Sequence, residues 1–106
     1  MKVYIDFSIF ASSTSAFGNI TGELDTAESP VVGSKVTFEH KGLLCVTPGF
    51  SGSLRIISLQ DGSDLNGNEM LLVVLDDVVV GSRAEAADLA DKLNCNFGLF
   101  VDIYDE

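Results

Sequence analysis

Apolar and polar residues alternate with a period of two near both ends of this chain, whereas a helical period occurs in one segment. The alternation is clearest near the amino terminus, where Val3, Ile5, Phe7 and Ile9 are every second residue. Because successive side chains of a strand point to opposite faces of a sheet, this spacing predicts a strand with one buried face. We therefore expect a fold built on a β-sheet.

Five further segments have the composition of strands and are bounded by turn residues. Gly18 and Gly22 in the first of them indicate a bulge or bend. Asn66-Gly67 is a favoured hairpin pair, so the segments on either side of it should pair. The last segment lacks clean alternation over 70–75, which predicts that both of its faces are covered. These five predicted strands cover 17–24, 36–40, 43–46, 54–59 and 69–80.

The helical segment begins at a capping box, Ser82 to Glu85. In this motif the serine hydroxyl accepts a hydrogen bond from the backbone N–H of the glutamate, and the glutamate side chain reaches back. Asp88 and Lys92 are spaced to pair on the exposed side of the helix. A last strand is predicted over 97–104. The apolar stripe of the helix consists of Ala86, Leu89, Ala90 and Leu93.

This order of elements predicts one α+β domain that covers residues 1–106. Strands linked by hairpins should form a curved, mostly antiparallel sheet of about six to seven strands. We expect this sheet to be either open or a half-open barrel. The C-terminal helix should pack on it and lead into the final strand.

The charge of the chain restricts its partners. Six Lys and Arg against sixteen Asp and Glu leave a net charge of −10. Affinity for nucleic acids depends largely on basic residues that release counterions, and anionic membranes repel acidic proteins for the same reason. We therefore expect neither a nucleic acid nor a membrane as partner, whereas a basic protein is compatible. The charge is also explained if it only keeps the protein soluble.

The two cysteines, Cys45 and Cys95, have no metal-ligand spacing. They are expected to be buried, reduced thiols of an intracellular protein, with a disulfide as the alternative. Asp6 interrupts the short apolar stretch at the amino terminus, so no secretory signal is predicted. We expect a cytoplasmic protein.

Few residues offer catalytic chemistry. His40 should lie diagonally from Cys45 across a hairpin, within reach as a base, but Val36 and Phe38 on the same face favour a structural role for the thiol. The segment 49–52 only superficially resembles a nucleophile elbow, because it lacks the second glycine at the required spacing. We therefore predict no catalytic residue. An enzyme that uses aspartates and a divalent ion is the alternative.

The acidic loop at 61–69 also fails as a calcium site. Asp64, Asn66 and Asn68 alternate as an EF-hand loop begins, but Glu69 occupies the glycine position and Leu75 the position of the bidentate glutamate. Turn formation explains this composition without an ion. We expect no metal and no other cofactor.

Asp76-Asp77 interrupts the most apolar predicted strand. Adjacent residues of a strand point to opposite faces, so the two carboxylates should not form a catalytic dyad. One of them should instead end or bulge the strand.

In size, charge and lack of catalytic motifs the chain resembles small bacterial immunity-type or inhibitor proteins, which neutralise a partner by binding it. The resemblance covers those overall properties and assigns no residue a role. It implies a non-enzymatic acidic protein that masks or inhibits a protein partner. An accessory subunit or a homo-oligomer that buries Phe50, Phe100 or Tyr104 is the alternative.

The partner surface is predicted to consist of carboxylates from the helix and the C-terminal strand, with aromatic anchors. Carboxylates should steer the encounter with a basic partner, and a buried aromatic ring should supply affinity. The residues in this predicted surface are Asp88, Asp91, Asp102 and Asp105, with Tyr104 and Phe50 as the aromatic residues.

Overall fold

The computed structural model of the protein describes residues 2–26, 29–44, 46–63 and 66–104. Nine strands and one helix occur within these residues. In chain order they are β1 (Lys2–Ser12), β2 (Ser15–Asp25), β3 (Lys35–Thr37), β4 (Glu39–His40), β5 (Leu43–Leu44), β6 (Ser53–Ser63), β7 (Glu69–Leu75), β8 (Val78–Val79), α1 (Arg83–Phe97) and β9 (Phe100–Ile103).

Seven of the strands form one mixed, mostly antiparallel sheet with the order β3-β6-β7-β1-β2-β9 and with β8 beside β1. The central strand β1 pairs antiparallel with β2 and parallel with β7 and β8. The sheet does not close into a barrel. The predicted α+β class, with one helix packed on a mostly antiparallel sheet and a final strand after it, is confirmed.

The β1–β2 hairpin follows the predicted pattern closely. Its register runs from Lys2 opposite Asp25 to Ser12 opposite Ser15, and it shifts on both sides of Phe10. This irregularity lies beside Gly18, where the glycine content predicted a bulge. The long β1–β2 pair therefore supplies the frame on which the other strands are arranged.

Two predicted strands are each divided in two. Segment 36–40 was expected as one strand, but Phe38 separates β3 from β4 because its side chain turns into the core, where it is fully buried. Segment 69–80 breaks at Asp76-Asp77. Asp76 pairs with Arg55 at 3.2 Å, and Asp77 Oδ1 accepts a hydrogen bond from the Ser8 N–H at 3.3 Å. The two carboxylates thus have different partners, and the strand ends at this pair, as predicted.

The helix begins as predicted. The Glu85 N–H donates to Ser82 Oγ at 3.2 Å, and the Glu85 carboxylate accepts from the Gly81 N–H at 2.9 Å. The helix ends at Gly98, whose φ of 68° suits a residue without a side chain. All four residues of the predicted stripe are buried: Ala86, Leu89, Ala90 and Leu93.

The stripe packs on one face of the sheet, which we call the covered face. The covered face consists of Val3, Ile5, Phe7 and Ile9 in β1 and of the residues in register with them in the neighbouring strands. Together with the helix stripe it forms one apolar core. We call the opposite face the open face. In β1 it consists of Tyr4, Asp6, Ser8 and Phe10, all of which are half-buried.

Candidate functional site

The open face contains a row of side chains that crosses the three central strands. Tyr4 of β1 is in register with Glu23 of β2 on one side and with Leu72 of β7 on the other. Phe100 of β9 is opposite Thr21, two residues before Glu23 on the same face. The register therefore places a carboxylate between the two aromatic residues and an apolar side chain beside them.

These residues line a groove of about 640 Å³ on the open face. Phe100 is 67% exposed, which is unusual for a ring of this size on a sheet. The walls combine apolar side chains with one carboxylate and the turn between β6 and β7. The groove is lined by Tyr4, Glu23, Gly62, Ser63, Asn66, Met70, Leu72 and Phe100.

The charge around the groove is mostly negative. Glu23 forms an ion pair with Lys2 at 3.6 Å, in which both side chains are more than half exposed. An exposed pair of this kind contributes at most about 1 kcal/mol, so an incoming cation can replace Lys2 at little cost. Asp6 and Asp102 lie on the same face, because Asp6 is opposite Thr21 and Asp102 is opposite Asn19.

The structure separates the carboxylates that the sequence grouped as one partner surface. Asp88 and Asp91 lie on the solvent side of α1, away from its buried stripe, and Asp88 pairs with Lys92 at 3.1 Å. Asp102 lies on the open face, on the other side of the sheet. Asp105 lies outside the described residues. The helix and the C-terminal strand therefore present their carboxylates on opposite sides of the molecule.

The two predicted aromatic anchors differ in exposure. Tyr104 is 38% exposed and follows β9 directly. Phe50 was predicted as an aromatic residue of the partner surface, but it is only 3% exposed. Its backbone N–H and C=O both bond to Thr47, and its ring packs against Phe38 at 5.7 Å between centroids. Phe50 is part of the core and is not available to a partner.

The thiol predictions also need correction. Cys95 was expected to be buried but is exposed, because its position on α1 is opposite the buried stripe, and it forms no disulfide. His40 packs edge-on against Phe97 at 6.0 Å between ring centroids. Cys45 lies outside the described residues, so the predicted diagonal contact with His40 stays a prediction.

Other kinds of site find no support in the described part of the chain. Within it, no three His, Cys, Asp or Glu side chains are placed to hold a metal ion. Asp64 of the acidic loop lies outside the described residues. Of residues 2–26, 29–44, 46–63 and 66–104, none belongs to a helix long and apolar enough to cross a membrane.

Sequence reasoning missed most of the residues around the groove. The alternation in β1 does place Tyr4 and Asp6 on the face opposite Val3 and Ile5, so the sequence contained a signal for these two residues. Their neighbours Leu72 and Phe100 could not be assigned, because the sequence does not reveal that β7 lies parallel to β1 or that β9 lies at the end of the sheet.

Comparisons with known proteins add no assignment. No protein-family model and no curated protein matches the sequence, and no solved structure matches the fold.

Proposed function

We propose that this chain is a non-enzymatic acidic binding protein that masks or inhibits a protein partner, and that the partner contacts the open face. The observation that carries this proposal is Phe100, a ring 67% exposed to solvent at the edge of a groove that also contains Tyr4 and Glu23. Aromatic residues dominate the binding energy of protein interfaces when a partner buries them. The open face supplies such an anchor.

Charge indicates the chemistry of the partner. The chain has a net charge of −10, and Glu23, Asp6 and Asp102 lie on the open face. Complementary charges accelerate the encounter and disfavour partners of the wrong sign. A protein surface that combines basic and apolar side chains fits this face best. Two copies of the chain repel each other, which disfavours self-association.

A binding measurement on matched variants tests the proposal. A partner is first captured from the host with the wild-type protein and then purified for kinetics. Phe100→Ala should weaken its binding at least about tenfold, the effect expected of an interface anchor. Leu43→Ala is the matched control, because Leu43 is 73% exposed but lies in the β4–β5 hairpin outside the sheet.

Charge reversal separates the two acidic surfaces. Asp102→Lys on the open face should slow association and flatten its dependence on salt, whereas Asp88→Lys on the helix should change both less. The proposal is wrong if Phe100→Ala and Asp102→Lys leave binding unchanged. Turnover of a small molecule by the isolated protein with added Mg²⁺ or Mn²⁺ would contradict the non-enzymatic assignment.

A further inference from the structure

The strand β9 forms one end of the sheet. It pairs with β2 along one edge, and none of the other described strands pairs with its second edge. Natural proteins usually protect such an edge by keeping it short or with charged side chains, above all lysine, with proline or with a bulge. The protection of β9 is its length of four residues and the single charge of Asp102. The sequence of β9, Phe-Val-Asp-Ile, contains neither lysine nor proline, and its register with β2 is regular.

The direction of the backbone N–H and C=O groups of β9 follows from one hydrogen bond. The Tyr104 N–H donates to the Phe17 carbonyl at 3.0 Å. In an antiparallel pair the residues that bond the partner strand alternate with residues whose N–H and C=O groups point away. Phe100, Asp102 and Tyr104 therefore point these groups toward β2, whereas Val101 and Ile103 point theirs toward the free edge.

The free backbone groups on the outer edge of β9 begin at Val101. Leu99, just before β9, has its carbonyl occupied by the Asn94 side chain at 2.9 Å, and its N–H donates to the Leu93 carbonyl at 3.4 Å. Hydrogen bonds to the helix therefore occupy the backbone of Leu99. From Val101 onward the edge can accept another strand.

The side chains of β9 indicate what such a strand contains. Phe100 and Asp102 are both on the open face, two residues apart, so an added strand would place alternate side chains beside them. An apolar side chain fits beside Phe100, and a basic one fits beside Asp102. Ile103 is 52% exposed on the other face of the strand and would be covered by the same addition.

We propose that β9 receives an extended segment of the protein partner as an additional strand, with a basic side chain next to Asp102 and an apolar one next to Phe100. This inference rests on the proposed function, because the segment belongs to the partner that contacts the open face. Addition of a strand to an exposed sheet edge is a general mode of peptide recognition. Backbone bonds supply affinity, and the alternate side chains supply specificity.

A second copy of the chain fits this edge less well. When β9 pairs antiparallel with its own copy so that Val101 bonds Ile103, the two Asp102 side chains are directly opposite. Like charges in that position are destabilising. Each copy also carries a net charge of −10. Charge complementarity therefore favours a basic segment of another protein.

Proline provides a selective test. Ile103→Pro removes the N–H that points toward the free edge and leaves the bonds of Asp102 and Tyr104 to β2 intact. Ile103→Val retains the N–H and is the matched control. The probe is a short synthetic peptide, Val-Thr-Lys-Thr-Val-Thr-Lys, in which valine and lysine are two residues apart on one face and can lie beside Phe100 and Asp102. The same design with glutamate in place of lysine controls for charge. Binding to the full chain is followed by NMR.

The lysine–valine peptide should protect the Val101 and Ile103 amides of the wild-type protein from hydrogen exchange. Ile103→Pro should weaken its binding about tenfold, the loss expected for about one backbone hydrogen bond with some strain, and Ile103→Val should change it little. Protection of the two amides is measured on the wild type, so this test holds even if the proline variant folds poorly.

Three results would overturn the inference. They are absence of binding to the wild type, binding that Ile103→Pro leaves unchanged, and protection that appears without peptide and grows with protein concentration. The captured partner separates this inference from the proposed function. If Phe100→Ala releases the partner but a folded Ile103→Pro retains it, the proposed function stands and strand addition is wrong. If neither variant releases it, both are wrong.

Discussion

The two faces of β1 differ in burial although they belong to one strand. Val3, Ile5, Phe7 and Ile9 are almost completely buried, whereas the residues between them are half-buried. Burial of a large apolar side chain contributes roughly 1.5–3 kcal/mol, so the covered face supplies most of the stability of the sheet. The open face can hold residues that suit a partner without a large cost to the fold.

The distribution of charge follows the same division. Among the described residues, no ionisable side chain is buried, and the one buried polar side chain is that of Thr47. Asp6, Glu23 and Asp102 of the sheet lie on the open face, and Asp88 and Asp91 of the helix lie on its solvent side. Substitutions at matched positions on the two faces can therefore measure how strictly stability and binding are separated.

Truncation of one phenylalanine on each side should show the largest contrast. Phe38 is fully buried, and its ring lies 5.7–5.8 Å from those of Phe7, Phe50 and Phe97. Phe38→Ala should reduce the free energy of unfolding by about 3–5 kcal/mol because it leaves a cavity in the core. Phe100→Ala should change it by less than about 0.5 kcal/mol. Urea unfolding measures both, and equal losses would show that the open face is part of the core.

A smaller effect is expected where strand β2 meets the segment before β9. Gly22 has a φ of 148°, and a Cβ atom there would lie 2.9 Å from a methyl carbon of Leu99. Gly22→Ala should therefore cost about 1–3 kcal/mol through strain and overpacking. Thr21→Ala, one residue away on the open face, is the control and should cost clearly less. A neutral Gly22→Ala in thermal unfolding would show that Leu99 moves aside.

The helix cap should give the smallest of these effects. Ser82→Ala removes the hydroxyl that accepts from the Glu85 N–H and should cost about 1 kcal/mol. Ser13→Ala at the exposed β1–β2 turn should change the free energy of unfolding by less than about 0.5 kcal/mol. Chemical unfolding of both variants makes the comparison. A cost below that of the turn variant would mean that packing of the apolar stripe alone positions the helix.

The elements that sequence reasoning placed correctly are those set by local chemistry. The alternation from Val3 to Ile9 identifies β1 and its buried face, because the period of side chains in a strand is two whatever pairs with it. The box from Ser82 to Glu85 and the stripe after it identify α1, because caps and i, i+3, i+4 spacing act within a few turns of chain. These signals need no knowledge of distant residues.

Contacts between residues far apart in the sequence decided the features that were predicted wrongly. Phe50 was assigned to the partner surface, but its ring packs in the core against that of Phe38. Cys95 looks like a core thiol, but the stripe of α1 turns it toward solvent.

The open face and its free edge were likewise fixed only by the tertiary structure. β7 pairs parallel with β1, and β9 lies at the end of the sheet. The sequence by itself determined which residues alternate, where the helix begins and that the chain is acidic. It could not determine which strands are neighbours, because that choice depends on how all apolar faces are buried together rather than on any one segment.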